Sequence, residues 1–458
     1  MQFFMAYSKK SNEQCAMNDQ NRNPIGILGA GLAGLTAAVH LKRHGIPFQL
    51  FESGDQVAGL CKSERDSDGF TYDCGVHFIT NRLAAAVGIS TECQPMAKYV
   101  ETVHLRGKEY SYPLGLLKSP RFLSSAIIAK TQALLSKPSV TAQQYYRSQY
   151  GKKLADEVAL PLTEAWSGVE GHEVSAAVGQ KFATSLPRML MLRSAAKATK
   201  RVVGIGYAGT ITESPNAWHV YPRNGIAAVC VKQAKEVADN IRLKSRVEEI
   251  HVEGNCVQFV VCNGERIPVS GVISTAPVHI LSKMIRGNDS LASLKSFRYR
   301  AMIFINLKLN GPSGLKDVVT WIPERKFPFF RLSDIGMGLP WLVPEGKSQV
   351  TCDIGCQIGD ENWSASDEHL TELCTAGLVE IVPGIRSRIL GSRVVRVPVA
   401  YPIFHLDYEP ARQRFEKGTG IRGLLSVGRN GEFAHILMED VYWRTRWKVS
   451  EYLETIGI

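Results

Sequence analysis

The feature that most constrains this chain is a glycine-rich turn that follows a short apolar run near the N-terminus. The run is Ile25-Gly26-Ile27-Leu28, and the turn is Gly29-Ala30-Gly31-Leu32-Ala33-Gly34. Followed by the largely apolar residues 35–41, this order predicts a strand, a turn and a helix. In such a unit Gly29 makes the tight turn, Gly31 lets the backbone approach a pyrophosphate, and Gly34 lets the helix pack closely on the strand. The positive end of the helix dipole then faces the phosphate charge.

An acidic residue follows the next predicted strand. Gly45 supplies a helix end, and residues 48–51 predict a second strand that stops at Glu52, eighteen residues beyond Gly34. A carboxylate at this spacing binds ribose hydroxyls in dinucleotide-binding units. The complete order of strand, glycine turn, helix, strand and acid therefore predicts a dinucleotide site. The alternative is a tight turn that binds nothing.

Further segments carry a resemblance to a known family. They are Ala58-Gly59-Leu60-Cys61-Lys62-Ser63, Asp73-Cys74-Gly75-Val76-His77, Tyr221-Pro222-Arg223-Asn224-Gly225 and Gly428-Arg429-Asn430-Gly431-Glu432-Phe433. Together with the glycine turn they resemble the FAD-dependent amine oxidase superfamily, and most of all its protoporphyrinogen-oxidase-like and UDP-galactopyranose-mutase-like members. In that family a Gly-Gly pair follows the ribose acid, and Ala58 stands here in place of its first glycine.

The resemblance implies FAD as the cofactor. It implies non-covalent FAD, because no Ser-Gly-Gly-Cys-Tyr-like segment offers a thioether. It also places a helix N-terminus at the pyrimidine side of the flavin, where the helix dipole favours the negative charge of the reduced ring. The residues expected to contact FAD come from the glycine turn, the ribose acid and the matching family segments: Gly29, Ala30, Gly31, Leu32, Ala33, Gly34, Glu52, Ser53, Gly59, Leu60, Cys61, Val247, Gly428, Arg429 and Met438.

The fold class that the resemblance implies is α/β. We expect a Rossmann-like FAD-binding domain of the GR2 flavoprotein type with an interleaved α+β substrate-binding domain. The expected limits are 23–95, 200–285 and 395–458 for the FAD-binding domain, and 96–199 and 286–394 for the substrate-binding domain. Residues 241–250 predict one strand that returns the chain to the FAD-binding domain. The polar residues 1–22 predict a flexible leader.

His77, Arg300 and Arg331 are the residues expected to act on the substrate. An imidazole titrates near neutrality, so His77 could move a proton beside the flavin, or its backbone alone could contact the cofactor. Arg300 and Arg331 accompany apolar strands, and a guanidinium matches a carboxylate or phosphate in two-point geometry. Structural ion pairing is the alternative for both arginines.

The segment from Leu160 to Gly168 resembles a family pattern in which a tryptophan and a glycine face the substrate cavity. The matching residues are Trp166 and Gly168, and the alternative is a tryptophan that packs on a helical core. Paired tyrosines and loop arginines grip the diphosphate in the mutases. Tyr401, Tyr408 and Arg193 are the candidates here.

Three functions fit these features. The first is an FAD-dependent oxidoreductase that transfers hydride from a small, anionic molecule to flavin N5. The second is a UDP-galactopyranose-mutase-like isomerase, in which N5 of reduced FAD attacks the anomeric carbon without net redox change. The third is a non-catalytic flavin-binding protein. Amine oxidation is disfavoured because residues 301–307 lack the lysine that many amine oxidases carry on this strand, and Lys308 comes only at its end. We rank the oxidoreductase first and the mutase second.

Composition limits the partners. The formal net charge is +11, but the basic residues are scattered and no nucleic-acid motif occurs, so we expect a small anionic substrate and no nucleic acid. Ten irregularly spaced cysteines predict no metal site and suit a reducing, cytoplasmic compartment. No apolar window is long enough to span a bilayer. The amphipathic residues 114–135 could contact a membrane surface, although packing on the core is the expected role. Oligomeric state and electron acceptor stay open.

Overall fold

The first strand, turn and helix form as predicted. The computed structural model describes residues 23–75, 77–112, 115–133, 138–182, 186–204 and 214–457, and the predicted leader lies outside them. Ile25–Leu28 is a fully buried strand, Leu32–Arg43 is a helix, and Phe48–Phe51 pairs with the first strand in parallel. The helix ends where expected, because Gly45 takes a positive φ of 68° just beyond it.

Five parallel strands form a sheet from distant parts of the chain. Their order across the sheet is Ile241–Arg242, Phe48–Phe51, Ile25–Leu28, Gly271–Ser274 and Leu424–Ser426. The helices Leu32–Arg43, Ala227–Glu236 and Met438–Thr455 cover one face and share one apolar core. The strands of a parallel sheet are usually buried on both faces, which agrees with the nearly continuous apolar sequence of these strands.

A second sheet covers the other face. It consists of four strands in the order Glu265–Pro268, Cys256–Cys262, Val247–Glu253 and Ile285–Arg286. The prediction of one strand over 241–250 is wrong, because the chain changes sheets within it. Ile241–Arg242 pairs with Phe48–Phe51, whereas Val247–Glu253 pairs with Cys256–Cys262. Lys244, at a φ of 50°, lies in the turn between the two strands.

A seven-stranded sheet forms the second large unit. Its order is Ile389–Pro402, Tyr299–Asn310, Lys347–Cys356, Arg331–Asp334, Val319–Trp321, Glu101–Leu105 and Lys108–Ser111. Alternate residues of Tyr299–Asn310 point to opposite faces. Ala301, Ile303 and Ile305 pack into the core that also holds side chains of helix Asp367–Ile381. Met302 and Phe304 point to the opposite face, towards the glycine turns.

The remaining elements are shorter. Two small antiparallel sheets contain Ser63–Arg65 with Thr71–Asp73, and Ile79–Thr80 with His219–Pro222 and Cys93–Pro95. The other α-helices are Asn81–Val87, Pro120–Ala133, Ala142–Tyr150, Lys152–Leu154, Leu160–Ser167, Leu186–Thr199, Val278–Met284, Glu361–Ser364, Glu409–Glu416 and Gly428–Gly431.

Segments of the two large sheets alternate along the chain, as an interleaved α/β protein requires. The expected domain limit at 395 falls inside Ile389–Pro402, which pairs with Tyr299–Asn310. Because that strand belongs to the seven-stranded sheet, a limit after Pro402 agrees better with the strand pairing. The other domain limits stay predictions.

Within the described ranges, no helix has the length and apolar character needed to cross a membrane. In the same ranges, no group of three His, Cys, Asp or Glu side chains could hold a metal ion. The nine cysteines that the structure describes are free thiols.

Buried histidines predict a loss of stability in acid. Burial lowers the pKa of His219 and of His40 to about 4, from an ordinary value of 6.5. The unfolded chain therefore binds more protons than the native one between pH 6.5 and 4, so stability is complete above this window and falls as the pH falls through it. At pH 5 each histidine should cost about 2 kcal/mol.

Urea unfolding at pH 7.5 and pH 5 measures this loss. The variant His219→Gln should lose less stability on acidification than the wild type, because it removes one titrating group. The matched control is His172→Gln, since the side chain of His172 is 60% exposed. An equal acid-induced loss in His219→Gln and in the wild type would contradict the prediction.

Candidate functional site

The N-terminus of helix Leu32–Arg43 packs so closely against the preceding glycine turn that no side chain fits between them. A Cβ atom at Gly34 would lie 1.8 Å from the carbonyl oxygen of Gly29. Gly31 is the N-cap residue, no side chain caps the helix there, and the first turn holds no acidic residue. The first backbone N–H groups of the helix are therefore available for an anion.

Two other turns reach the same helix end. A Cβ atom at Gly59 would lie 3.2 Å from the Cα of Gly31, and one at Gly428 would lie 2.7 Å from the Cβ of Ala33. Gly59 also has a φ of 52°, in the left-handed region. The glycine turn and the two family segments, which are far apart in sequence, thus meet at one place.

Ala58, which replaces a family glycine, keeps the backbone shape of a glycine. It has a φ of 87°, and its N–H donates a 2.8 Å hydrogen bond to the carbonyl oxygen of Ala30. The substitution therefore adds a strained residue without moving the turn.

The carboxylate of Glu52 faces the glycine turn. One oxygen accepts a 2.8 Å hydrogen bond from the N–H of Ala30, and the other accepts a 2.7 Å bond from the N–H of Gly54. Ser53 donates its hydroxyl to the same carboxylate at 3.3 Å. The carbonyl oxygen of Glu52 accepts from Ser245 at 2.8 Å, two residues before Val247, which begins its strand. The predicted ribose acid and Val247, which the resemblance places at FAD, are therefore on neighbouring segments.

Leu60, Cys61 and Met438 lie next to these turns. Gly59–Cys61 forms one turn of 3₁₀-helix, and the Cys61 sulfur lies 3.9 Å from that of Met438, the first residue of the C-terminal helix. Leu60 packs against the apolar cluster of Met302 and Phe304 on the seven-stranded sheet. The face of that sheet and the cofactor turns therefore enclose the same region.

A partly buried carboxylate holds the loop that leads to His77. Asp73 accepts hydrogen bonds from the hydroxyls of Ser63 and Tyr221 and a 3.3 Å bond from the N–H of Ile226. Burial raises the pKa of Asp73. Asp73 thus joins its own segment to two of the other family segments seen in the sequence.

His77 is a neutral imidazole at neutral pH. Burial, and then the positive charge of Arg429, lower the pKa of His77 to about 4. Its Nε2 lies 3.0 Å from the carbonyl oxygen of Cys74. The ring also interacts with the backbone of Leu60. Because a carbonyl oxygen only accepts, the ring proton of the neutral form faces one of these two carbonyls. A part in proton transfer stays a prediction for His77.

Arg429 and Arg331 lie near His77, since both charges affect the pKa of that histidine. The Arg429 guanidinium carbon is 4.7 Å from the ring centre of Tyr401, which also receives a hydrogen bond from it. Burial lowers the pKa of Arg429. Its buried Nε atom has no hydrogen-bond partner among the described residues, and no carboxylate among them pairs with it.

Arg331 differs from Arg429 because it has an acidic partner. It forms an ion pair with Asp353, and the two side chains are 12% and 1% exposed. Burial alone would lower the pKa of Arg331. The negative charge of Asp353 outweighs this effect and raises the pKa above its usual value. One oxygen of Asp353 and the Nε of Arg331 are nevertheless left without a partner in the described chain.

Arg300 packs in a different environment. A Cβ atom at Gly168 would lie 2.4 Å from its Nη1, and one at Gly355 would lie 3.3 Å from its Nε. Burial lowers the pKa of Arg300, and the charges of Cys356 and Asp360 oppose the effect. Gly168 follows the end of helix Leu160–Ser167, where a cation interacts favourably with the helix dipole. Substrate binding by Arg300 stays a prediction.

Trp166 contacts the residues around Arg429. Its ring centre lies 5.7 Å from that of Tyr401 and 5.3 Å from that of His435. Tyr408 instead stacks on Phe297 at 4.5 Å. The structure therefore brings Tyr401, and not Tyr408, to the site. The side chain of Arg193 lies outside the described residues.

Glu432 and Lys308 have structural partners. Glu432 binds Lys448 at 2.7 Å and also Arg444, which fixes the C-terminal glycine turn to the last helix. Lys308 binds Asp68 at 2.6 Å and Asp66 at 3.3 Å.

The sequence analysis missed three polar residues beside Arg331. Glu101 accepts a 3.0 Å hydrogen bond from the indole nitrogen of Trp321 and another from the hydroxyl of Tyr99. The Arg331 guanidinium lies 5.5 Å from the Trp321 ring centre. Glu101, Trp321 and Asp353 lie on three different strands, so spacing in the sequence gave no sign that they meet.

The residues present fit FAD. The uncapped helix end and the three glycine contacts leave backbone space for a pyrophosphate, and Glu52 suits a ribose. The apolar cluster of Met302, Phe304, Phe330, Val397 and Ala400 offers a surface for a flat ring. The Nε of Arg429 is a buried donor that a ring or substrate oxygen could satisfy.

Comparison with known proteins agrees with this site. A model of the family described as flavin containing amine oxidoreductase matches residues 32–425. The chain is 20% identical to protoporphyrinogen oxidase 2 of Arabidopsis thaliana, over 89% of this chain and 91% of that protein. It spans 13% to 56% of the length of other curated relatives, including a 4,4'-diapolycopene oxygenase of Methylomonas sp, which is 39% identical over 64 residues.

Solved structures share the fold. Reduced UDP-galactopyranose mutase superposes with a TM-score of 0.78, at 20% identity over 95% of this chain and 97% of the other. A putative protoporphyrinogen oxidase from Exiguobacterium sp. 255-15 gives 0.71, at 15% identity over 95% and 99%. The predicted resemblance, fold class and cofactor are confirmed by these matches. The chain belongs to the flavin containing amine oxidoreductase family of FAD-dependent enzymes.

Proposed function

We propose that this enzyme is an FAD-dependent oxidoreductase that acts on a small, anionic molecule. The observation that carries the proposal is Arg429, a guanidinium beside the predicted flavin site for which the described residues offer no carboxylate partner. Arg429 is only partly exposed, and its Nε atom is buried without a hydrogen-bond partner among the described residues. Removing a cation from water without a carboxylate partner is costly, and an anionic ligand offsets that cost.

Arg331 should attract an anionic substrate less strongly than Arg429 does. Its ion pair with Asp353 neutralises most of its attraction for an anion. The pair orients the guanidinium, so that the unpaired Nε of Arg331 can still donate a hydrogen bond. We therefore assign the binding of the anion mainly to Arg429. Arg331 would orient the bound anion through its Nε hydrogen bond.

The walls of the site are aromatic and apolar. Trp166, Tyr401 and His435 contact one another, and Met302 and Phe304 face the same region. Such walls exclude water and hold a substrate carbon at a fixed position. The bound FAD supplies the redox chemistry by accepting hydride at N5. The neutral His77 can accept a proton on the ring nitrogen that carries none.

A mutase is the second candidate. The likeness to reduced UDP-galactopyranose mutase favours it, and a diphosphate would also suit Arg429 and Tyr401. Against it, Tyr408 packs on Phe297 and cannot form a tyrosine pair with Tyr401 in this arrangement. A non-catalytic flavin-binding role is the third candidate. The free thiols of the described cysteines support a reducing, cytoplasmic location as part of the proposal.

The glycine contacts predict which substitution abolishes FAD binding. Gly59→Ala should release FAD, because the new methyl group would push the backbone of Gly31 away from the helix end. Gly254→Ala is the matched control, since its φ of 54° is close to the 52° of Gly59 but nothing lies within 4 Å. Both variants should lose about 1 kcal/mol of stability through backbone strain. The ratio of flavin absorbance to protein should fall only in Gly59→Ala, and equal flavin content in both variants would contradict the assignment.

Arg429 is tested by titrating the oxidised protein with anions. Inorganic phosphate, small carboxylates and UDP are added, and the flavin visible spectrum is recorded. An anion that perturbs the spectrum should bind roughly a hundredfold more weakly to Arg429→Leu, because charge-assisted hydrogen bonds are lost. Arg429→Lys should recover part of the affinity. The matched control is Arg386→Leu, whose guanidinium pairs with the exposed Glu372.

The reaction itself is tested with both oxidation states of the enzyme. A substrate that bleaches the flavin band without oxygen, and releases hydrogen peroxide or reduces an added acceptor in turnover, supports the oxidoreductase. Interconversion of UDP-galactopyranose and its furanose form by the dithionite-reduced enzyme would overturn it in favour of the mutase. A wild type whose spectrum no anion perturbs would contradict the anionic substrate.

A further inference from the structure

One part of the chain carries basic residues without any acidic ones. Residues 110–155 contain seven Lys or Arg residues and no Asp or Glu. The segment therefore carries a formal net charge of +7, compared with +11 for the whole chain. The basic residues are therefore less evenly scattered than the complete sequence indicates, and the flavin site does not use them.

Three helices of this stretch form one surface. Pro120–Ala133 packs against Ala142–Tyr150 and against Lys152–Leu154. A shallow groove between them is lined by the cations Arg121, Arg147, Lys152 and Lys153, together with the hydroxyls of Ser125 and Ser148. We call this surface the helical face.

The cations of the helical face are only partly neutralised. Arg147 pairs with Asp156 at 2.8 Å, and Arg121 pairs with Glu157, which also binds Arg106 at 3.3 Å. Lys130 donates to the neutral Gln149 at 2.7 Å. In the part of the chain that the structure describes, neither Lys152 nor Lys153 has an acidic partner. The face therefore keeps a net positive charge.

Large apolar side chains are exposed on the same face. On helix Pro120–Ala133, Leu123, Ile127 and Ile128 are 44%, 56% and 55% exposed. The opposite side of this helix packs inward through Phe122 and Ala129. The core therefore uses one side of the helix and leaves an aliphatic row on the other, beside the cations.

We propose that the helical face binds the surface of a lipid bilayer that contains anionic phospholipids. Leu123, Ile127 and Ile128 would enter the boundary between headgroups and acyl chains, while Lys152 and Lys153 meet headgroup phosphates. The aliphatic row complements the apolar part of such a surface, and the lysines complement its negative charge. A nucleic acid would bind the lysines through its phosphates, but it would not require the exposed isoleucines.

The test is co-sedimentation of the full-length holoenzyme with vesicles. Phosphatidylcholine vesicles are compared with vesicles that also contain phosphatidylglycerol, at low and high salt. The wild type should bind the anionic vesicles, more weakly at high salt, and bind the neutral ones poorly. Lys152→Ala combined with Lys153→Ala should reduce the affinity about thirtyfold, since each lysine near the surface contributes about fivefold.

Two matched double variants control for charge and hydrophobicity. Lys232→Ala with Lys235→Ala removes two exposed lysines from helix Ala227–Glu236 and should leave vesicle binding unchanged. Ile127→Ser with Ile128→Ser should lower binding at least tenfold, whereas Ile358→Ser with Leu390→Ser, at positions 63% and 51% exposed, should not. Flavin content shows that each variant is folded.

The proposal is overturned if the wild type does not bind anionic vesicles, or if the control variants lose as much binding as the helical-face variants. It is also overturned if an oligonucleotide binds more tightly than the vesicles at the same salt, with no effect of Ile127→Ser and Ile128→Ser. Because the assay measures binding to lipid, its outcome is independent of the substrate and of the reaction at the flavin.

Discussion

Close backbone contact at the N-terminus of helix Leu32–Arg43 is the constraint on which the rest of the structure depends. Gly59 and Gly428 approach this helix end so closely that a Cβ atom at either would press on the backbone of Gly31 or on the side chain of Ala33. These contacts join the glycine turn to one segment that is nearby in the sequence and to another near the C-terminal end of the chain. They also keep the first N–H groups of the helix free of side chains, which is the condition for binding a pyrophosphate there.

The position of the substrate region follows from this contact. The turn at Gly59–Cys61 continues into Leu60, which packs on the apolar face of the seven-stranded sheet. Asp73 then holds the loop before His77 through hydrogen bonds to Ser63 and Tyr221. The cofactor turns and the sheet thus enclose one region with aromatic and apolar walls, beside the guanidinium of Arg429.

Charge in this protein is used in two distinct ways. Near the predicted flavin site Arg331 forms an ion pair with the buried Asp353, whereas Arg429 lies over the ring of Tyr401 and has no carboxylate partner among the described residues. On the helical face the lysines lie at the surface, next to exposed aliphatic side chains. Salt screens charges that are partly removed from water less than charges at the surface, so the two sites should differ in their dependence on ionic strength.

The sequence by itself determined the cofactor unit, because its requirements are local: glycines where no Cβ fits, and an acid at the end of the second strand. It did not determine that residues 241–250 divide between two sheets, since apolar periodicity does not say which partner a strand takes. Nor could it separate Arg331 from Arg429, or reveal Tyr99 and Glu101 beside Trp321. Only the tertiary structure decided which arginine is neutralised, because the partner acid comes from another strand, and pairing between distant strands leaves no trace in spacing along the chain.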